Sequence, residues 1–182
     1  MADVTKIDAG ANGAAAVAPT GSTAPTDSTT ALAVAFKDLG FISEDGLTEA
    51  VNQSTNEVKA WDGTVVRKVL TGAEKTFKIK FLESNGNVLD LYYSKPTNSV
   101  VSGKTTLTVK PILSRDLRAF VFDVIDGAKH KRIWIPNGEV TDRGEIAYKN
   151  GEASSYEVTI TAYPDSNGVW FKEFVDADLT PA

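Results

Sequence analysis

From Thr76 to Phe81 the chain alternates without a break: Phe77, Ile79 and Phe81 fall on one side, and Thr76, Lys78 and Lys80 on the other. Successive side chains of a strand point to opposite faces, so this period of two predicts a strand lying half-buried on a core. The pattern recurs. Val65, Arg67 and Val69 alternate with Val66, Lys68 and Leu70, and Leu107 and Val109 alternate with threonines. Tyr156, Val158, Ile160 and Ala162 alternate with Glu157, Thr159 and Thr161 until Pro164 stops pairing. Leu32, Val34 and Phe36, spaced by alanines, predict one more strand. Ala119 to Ile125 is apolar on both faces except for Asp123, as in a strand covered on both sides. The Asp126-Gly127 turn then leads to Ile133–Ile135 and closes a hairpin.

Asp45-Gly46, Asp62-Gly63, Asn137-Gly138, Asn150-Gly151 and Asn167-Gly168 read as further turns. One helix is credible. Ser84 or Asn85 can cap it, and Val88, Leu91 and Tyr92 share a face. Such short, turn-punctuated strands predict a mainly β fold, a β-sandwich or barrel with one short flanking α-helix.

This pattern defines a body from Ala31 to Asp176, preceded by an arm of residues 1–30 and followed by a tail of residues 177–182. The arm is almost entirely Ala, Gly, Ser, Thr and Pro, with Val4 and Ile7 as its larger apolar residues. Alone it cannot bury enough surface to offset its ordering entropy, so a neighbouring subunit is expected to order it. Its longest apolar run, Ala14–Ala18, is five residues, too short to cross a bilayer. Lys6 alone supplies basic charge ahead of that run, so no secretory leader is expected and an intracellular origin is the default reading. Cysteine is absent, which excludes disulfides, thiolate metal sites and a cysteine nucleophile. The formal net charge of −5 disfavours binding nucleic acid by phosphate neutralisation over the whole surface.

The candidate catalytic motifs each have a plainer reading. Ser102-Gly103-Lys104-Thr105 looks like the end of a phosphate-binding loop, but Asn98 stands where that loop needs glycine and a threonine-rich strand follows instead of a helix. A hairpin turn is the simpler reading. His130, the single histidine, lies in Lys129-His130-Lys131-Arg132, whose cations would repel a metal ion. The same run is a solvated turn or a subunit salt-bridge patch sooner than a nucleic-acid site. Glu44 with Asp45, Asp123 with Asp126, and Asp176 with Asp178 are close in sequence, but nothing fixes a pair across a cleft for acid–base work. The Asn52-Gln53-Ser54 sequon reads as chance. Trp61 sits in the polar stretch Asn52–Thr64, either folded back on its own core or docked into a neighbour. Neither enzymatic activity nor a cofactor or metal is expected.

Three stretches carry a family resemblance. The first is Gly40-Phe41-Ile42-Ser43-Glu44-Asp45-Gly46 with Lys59-Ala60-Trp61 and Val65-Val66-Arg67 downstream. The second is Phe77–Tyr93, a strand running into the short helix. The third is Arg132-Ile133-Trp134-Ile135-Pro136, then Glu139–Gly144, then Tyr156–Asp165. In pattern and order the chain resembles the major tail tube proteins of long, non-contractile bacteriophage tails, especially those of actinobacterial phages. The resemblance implies six subunits closing a ring, with inner sheets joined in one barrel, and rings stacked head to tail around double-stranded DNA. It also implies a virion protein, made in the host cytoplasm, that meets the tape-measure protein and genomic DNA in the lumen. Tail terminator and distal tail proteins would stand at the ends, and no membrane is involved.

Under this reading Val4, Ile7, Lys59 and Trp61 are candidates for contacts between subunits. Glu44, Asp45, Glu49 and Asp123 are candidates for a lumen lining that repels phosphate. Two alternatives stay open. One is the ring protein of a related bacterial injection or secretion tube. The other is a monomeric β-sandwich that binds carbohydrate or a cell surface, which would need Trp61, Trp134 and Trp170 aligned on one face.

Overall fold

A computed structural model of the chain describes residues 12–111 and 114–176. It is mainly β. Among the described residues, ten strands and one helix run in the order β1 (Asn12–Pro19), β2 (Lys37–Asp38), β3 (Ile42–Lys59), β4 (Val65–Phe81), α1 (Gly86–Tyr92), β5 (Thr97–Val101), β6 (Lys104–Thr108), β7 (Leu117–Asp126), β8 (Lys129–Arg143), β9 (Tyr156–Tyr163) and β10 (Lys172–Val175).

Eight of the strands form one antiparallel sheet. Seven follow the order β2-β1-β7-β8-β9-β4-β3, and β10 shares an edge of β8 with β9. The sheet curls on itself, so that Phe77 of β4 stacks on Phe122 of β7 with ring centroids 6.1 Å apart, although those strands are not neighbours. Phe77, Ile79, Phe81, Phe120, Phe122 and Ile135 fill the inside. The strand of cleanest alternation thus presents its predicted face to the core. Helix α1 covers one end: Asn85 accepts the Val88 N–H at the N-cap, and Val88 and Leu91 are buried. At seven residues it draws its stability from that packing.

Several predicted elements differ. Residues 1–11 of the arm lie outside the described residues, as do residues 177–182. Asn12–Pro19, however, is a full sheet member, paired along its length with β7, and it buries Ala15, Val17 and Ala18. Alanine hides the signal here, because its small apolar side fits against a neighbouring strand without a visible period. The strand expected at residues 32–36 is a turn closed by Phe36 N–H on Ala33 O, with Val34 exposed. The alternate alanines there offer too little apolar area to hold an edge.

Asn137-Gly138 lies inside β8 rather than in a turn. The register with β7 slips at that point, so Pro136, which has no N–H to give, sits at a bulge. Gly138 is required by close approach: a Cβ there would lie 2.6 Å from the Phe120 ring. Asp45-Gly46 is likewise an irregularity within β3. The Asp62-Gly63 and Asp126-Gly127 turns form as predicted. Ser102-Gly103 is a tight turn between β5 and β6 with φ of 51° and 74°, as a hairpin requires of both central residues.

Candidate assembly surfaces

The polar stretch expected to be a loop at residues 52–64 is instead the outer half of a long hairpin. β3 and β4 stay paired from Leu47/Ile79 to Lys59/Val65, well past the core. Beyond Val51 the ribbon extends roughly 27 Å, eight residues of β3 at the rise of a strand. Its side chains are exposed on both faces. A cross-strand pair links Lys68 Nζ to the Glu57 carboxylate at 3.1 Å, and Lys59 of the same strand lies 3.9 Å from that carboxylate. At the tip, Ala60 N–H donates to Thr64 O at 2.8 Å and Thr64 N–H to Asp62 Oδ1 at 2.9 Å. Trp61 stands on this turn fully exposed, and Val58, Val66 and Leu70 are exposed along the ribbon. Trp61 is therefore not folded back on its own core. Val4 and Ile7 lie outside the described residues.

β3 is also the last strand of its sheet, so one backbone edge of an eighteen-residue strand has no strand neighbour among the described residues. Long free edges of this kind template pairing with another chain.

Between β3 and the β1–β7 end of the sheet lies a cleft of about 610 Å³. It brings together all four acids singled out in the sequence, Glu44, Asp45, Glu49 and Asp123. Their charges are not equally free. Lys75, itself buried, pairs with Glu49. Lys80 lies 3.6 Å from exposed Asp45, and Glu44 is exposed. Asp123 is gripped by Arg132, with Nε 2.6 Å from Oδ1 and Nη2 3.0 Å from Oδ2. The same guanidinium donates to the carbonyls of Thr30 at 2.7 Å and Asp27 at 3.2 Å. It thereby straps the segment before β2 across the sheet. Ser28 extends the strap with a hydrogen bond to Asp176. The Thr30 hydroxyl, with the N–H groups of Thr30 and Thr29, holds the Asp27 carboxyl far below the usual carboxylate range.

Arg132 is thus a buried strut of the fold and not part of a solvated basic turn. Counting outward from the Asp126–Lys129 end of the hairpin pairs Asp123 with Arg132, a signal the sequence did contain.

A second strut is Arg118 under α1. Its guanidinium meets Asp90 at 2.6 Å and Asp116 at 2.6 Å. Burial opposes charge on Asp116, but Arg118 and Lys95 outweigh it and hold the carboxyl below its ordinary value. No sequence feature marked this group. It links a helix residue to one nearly thirty positions away, which only the tertiary fold brings together.

His130 faces Ile125 across the hairpin. Among the described residues, no group of three His, Cys, Asp or Glu could hold a metal ion. The three tryptophans form no exposed row: Trp134 is buried, Trp170 packs partly buried against the core, and Trp61 stands at the hairpin tip. No helix among the described residues is long and apolar enough to cross a membrane.

Among the described residues the fold combines a free sheet edge, a projecting ribbon and a packed apolar core. The sequence profile of the phage tail tube proteins matches residues 2–182. The chain belongs to the phage tail tube protein family and is a structural component of the virion tail. No curated protein matches it. Among solved structures it is similar to a chain of the sheath–tube complex, in its extended state, of an extracellular contractile injection system. That likeness has a TM-score of 0.49 at 8% identity and covers 93% of each chain. Another is a chain of the virion of a native gene transfer agent, with a TM-score of 0.40 at 11% identity, covering 80% of this chain and 92% of that one.

Proposed function

We propose that six copies of this chain close a ring, and that rings stack head to tail into the tube of a long, non-contractile phage tail. The observation that carries this reading is the free edge of β3. Pairing it with the opposite end of a neighbour's sheet satisfies its backbone groups, and a closed ring leaves no edge to aggregate. Stacking by a contact between unlike surfaces then gives an open filament.

The tube conducts double-stranded DNA during ejection and encloses the tape-measure protein before that. Tail terminator and distal tail proteins bound its ends. It works physically, with no catalytic step. Carboxylates lining the lumen repel phosphate, so the genome slides without sticking. Glu44 is the strongest candidate for that lining and Asp45, exposed and in only a loose 3.6 Å pair with Lys80, the next, since Glu49 and Asp123 are matched by Lys75 and Arg132. Negative-stain electron microscopy of the concentrated protein tests the reading. Rings or tubes with a central hole are expected, and a chain that stays monomeric at every concentration refutes it.

A further inference from the structure

We propose that Trp61 at the tip of the β3–β4 hairpin is a knob, and that its socket is a cleft on a second copy of the same chain. This cleft lies between the end of β1, the β2 segment, α1 and the start of β7. The inference rests on the tube reading and specifies one of its contacts.

The knob is preformed. A five-residue turn, closed by two backbone hydrogen bonds and the Asp62 cap, fixes the backbone on which the indole stands. Little ordering entropy remains to be lost on docking. A fully exposed tryptophan on a projecting ribbon has no role in its own core, and tryptophan is the residue most enriched among interface anchors.

The socket is a cleft of about 610 Å³. Val17, Pro19, Ala35 and Leu117 give it apolar walls, and Asp90 offers a carboxylate that can accept the indole N–H. It too is braced. Asn87 Nδ2 donates to Asp38 O at 2.9 Å, and Arg118 ties Asp90 and Asp116 together beneath it. Lys95 is held by Asp116 at 2.6 Å, so exposed Lys37 is the socket cation left to face Asp62 beside Trp61. The acid-lined cleft between β3 and β1 has the same volume but suits an indole poorly, because docking there would strip water from carboxylates.

Knob and socket are different surfaces of one molecule. Their contact is heterologous, so it propagates into a ring or filament instead of closing a dimer. That agrees with a protein whose family builds a tube.

The chain has no cysteine, so a pair placed at the contact reports without background. Ala60→Cys, which keeps the Asp62 cap, combined with Ala35→Cys, polymerised and treated with a short bis-maleimide, is expected to give a covalent ladder of dimers, trimers and longer species. Ala60→Cys combined with Thr106→Cys, outside the socket, is expected to give none. Trp61→Ala is expected to raise the concentration needed for polymerisation about thirty-fold, the equivalent of one strong anchor, with the circular dichroism of the monomer unchanged. Trp61→Phe recovers part of the loss. Intact tubes without the ladder, or Trp61→Ala polymerising at the wild-type concentration, overturn the docking and leave the tube reading standing. A wild-type chain that forms neither rings nor tubes removes both.

Discussion

Breaking the Asp123–Arg132 pair separates a structural acid from a lumen acid, and its cost follows from the geometry. Arg132 is 5% exposed and has four acceptors: both Asp123 oxygens and the carbonyls of Asp27 and Thr30. Asp123→Asn keeps the shape but leaves the buried guanidinium without a counter-charge. Removing one partner of a buried pair costs about 3–5 kcal/mol. The Asp123 side chain keeps 20% exposure, so water softens the loss and the low end, about 3 kcal/mol, is expected. At about 2–4 °C per kcal/mol for a chain of this size, Tm of the monomer falls by about 6–12 °C.

Thermal unfolding by circular dichroism, with Asp123→Leu and Arg132→Met made singly and together, closes the cycle. The double variant should recover most of the single-variant loss, because an apolar pair of similar volume is close to neutral in such a site. Its strap should still loosen, since the carbonyls of Asp27 and Thr30 lose their donor. Thermolysin is then expected to cut within residues 20–36 faster than in the wild type. If Asp123→Asn costs less than about 0.5 kcal/mol, or if the two single effects merely add, the pair is solvated and the reasoning fails.

Gly138→Ala places a methyl group against the fully buried Phe120 ring and should cost about 1–3 kcal/mol, read as a Tm drop of about 2–12 °C. An unchanged Tm would show that β8 shifts freely at its bulge. Acid should weaken the fold through Asp116. Its folded-state pKa is depressed, so its contribution is complete above the unfolded carboxylate value of about 3.9 and is lost as pH falls through the lower folded value. Asp116→Asn should be less stable than wild type at neutral pH and lose less on acidification below about pH 4, measured by urea unfolding across pH. Glu44→Lys with Asp45→Lys should leave tubes intact by electron microscopy and slow DNA ejection from assembled phage. Unchanged ejection kinetics would remove these acids from the lumen lining. The Trp61→Ala effect on polymerisation completes the set.

Local signals in the sequence determined a good part of this protein. Alternation at Thr76–Phe81 and Tyr156–Ala162 is a property of each strand alone, and both strands present the predicted face to the core. The Asn85 cap and the Asp126-Gly127 turn act within a few residues, and they too were legible. Resemblance over Gly40–Gly46 and the later stretches pointed to the right family.

The rest depended on which distant segments meet, and that is a matter of tertiary structure. β1 has no period of its own and becomes a strand because β7 offers it an edge. Asn137-Gly138 spells a turn locally, yet Phe120 needs the space of a missing side chain, so the same glycine serves a bulge in mid-strand. Trp61 was equally consistent with folding back or pointing out until the pairing of β3 with β4 ran on past the core and carried it away. Four acids spread over eighty residues share one cleft because the sheet curls, and the arginine and lysine beside them decide which carry free charge. Alternation and capping are short-range and can be read from neighbours in sequence. Charge balance and exposed surface are sums over the folded molecule, and no single stretch of chain contains them.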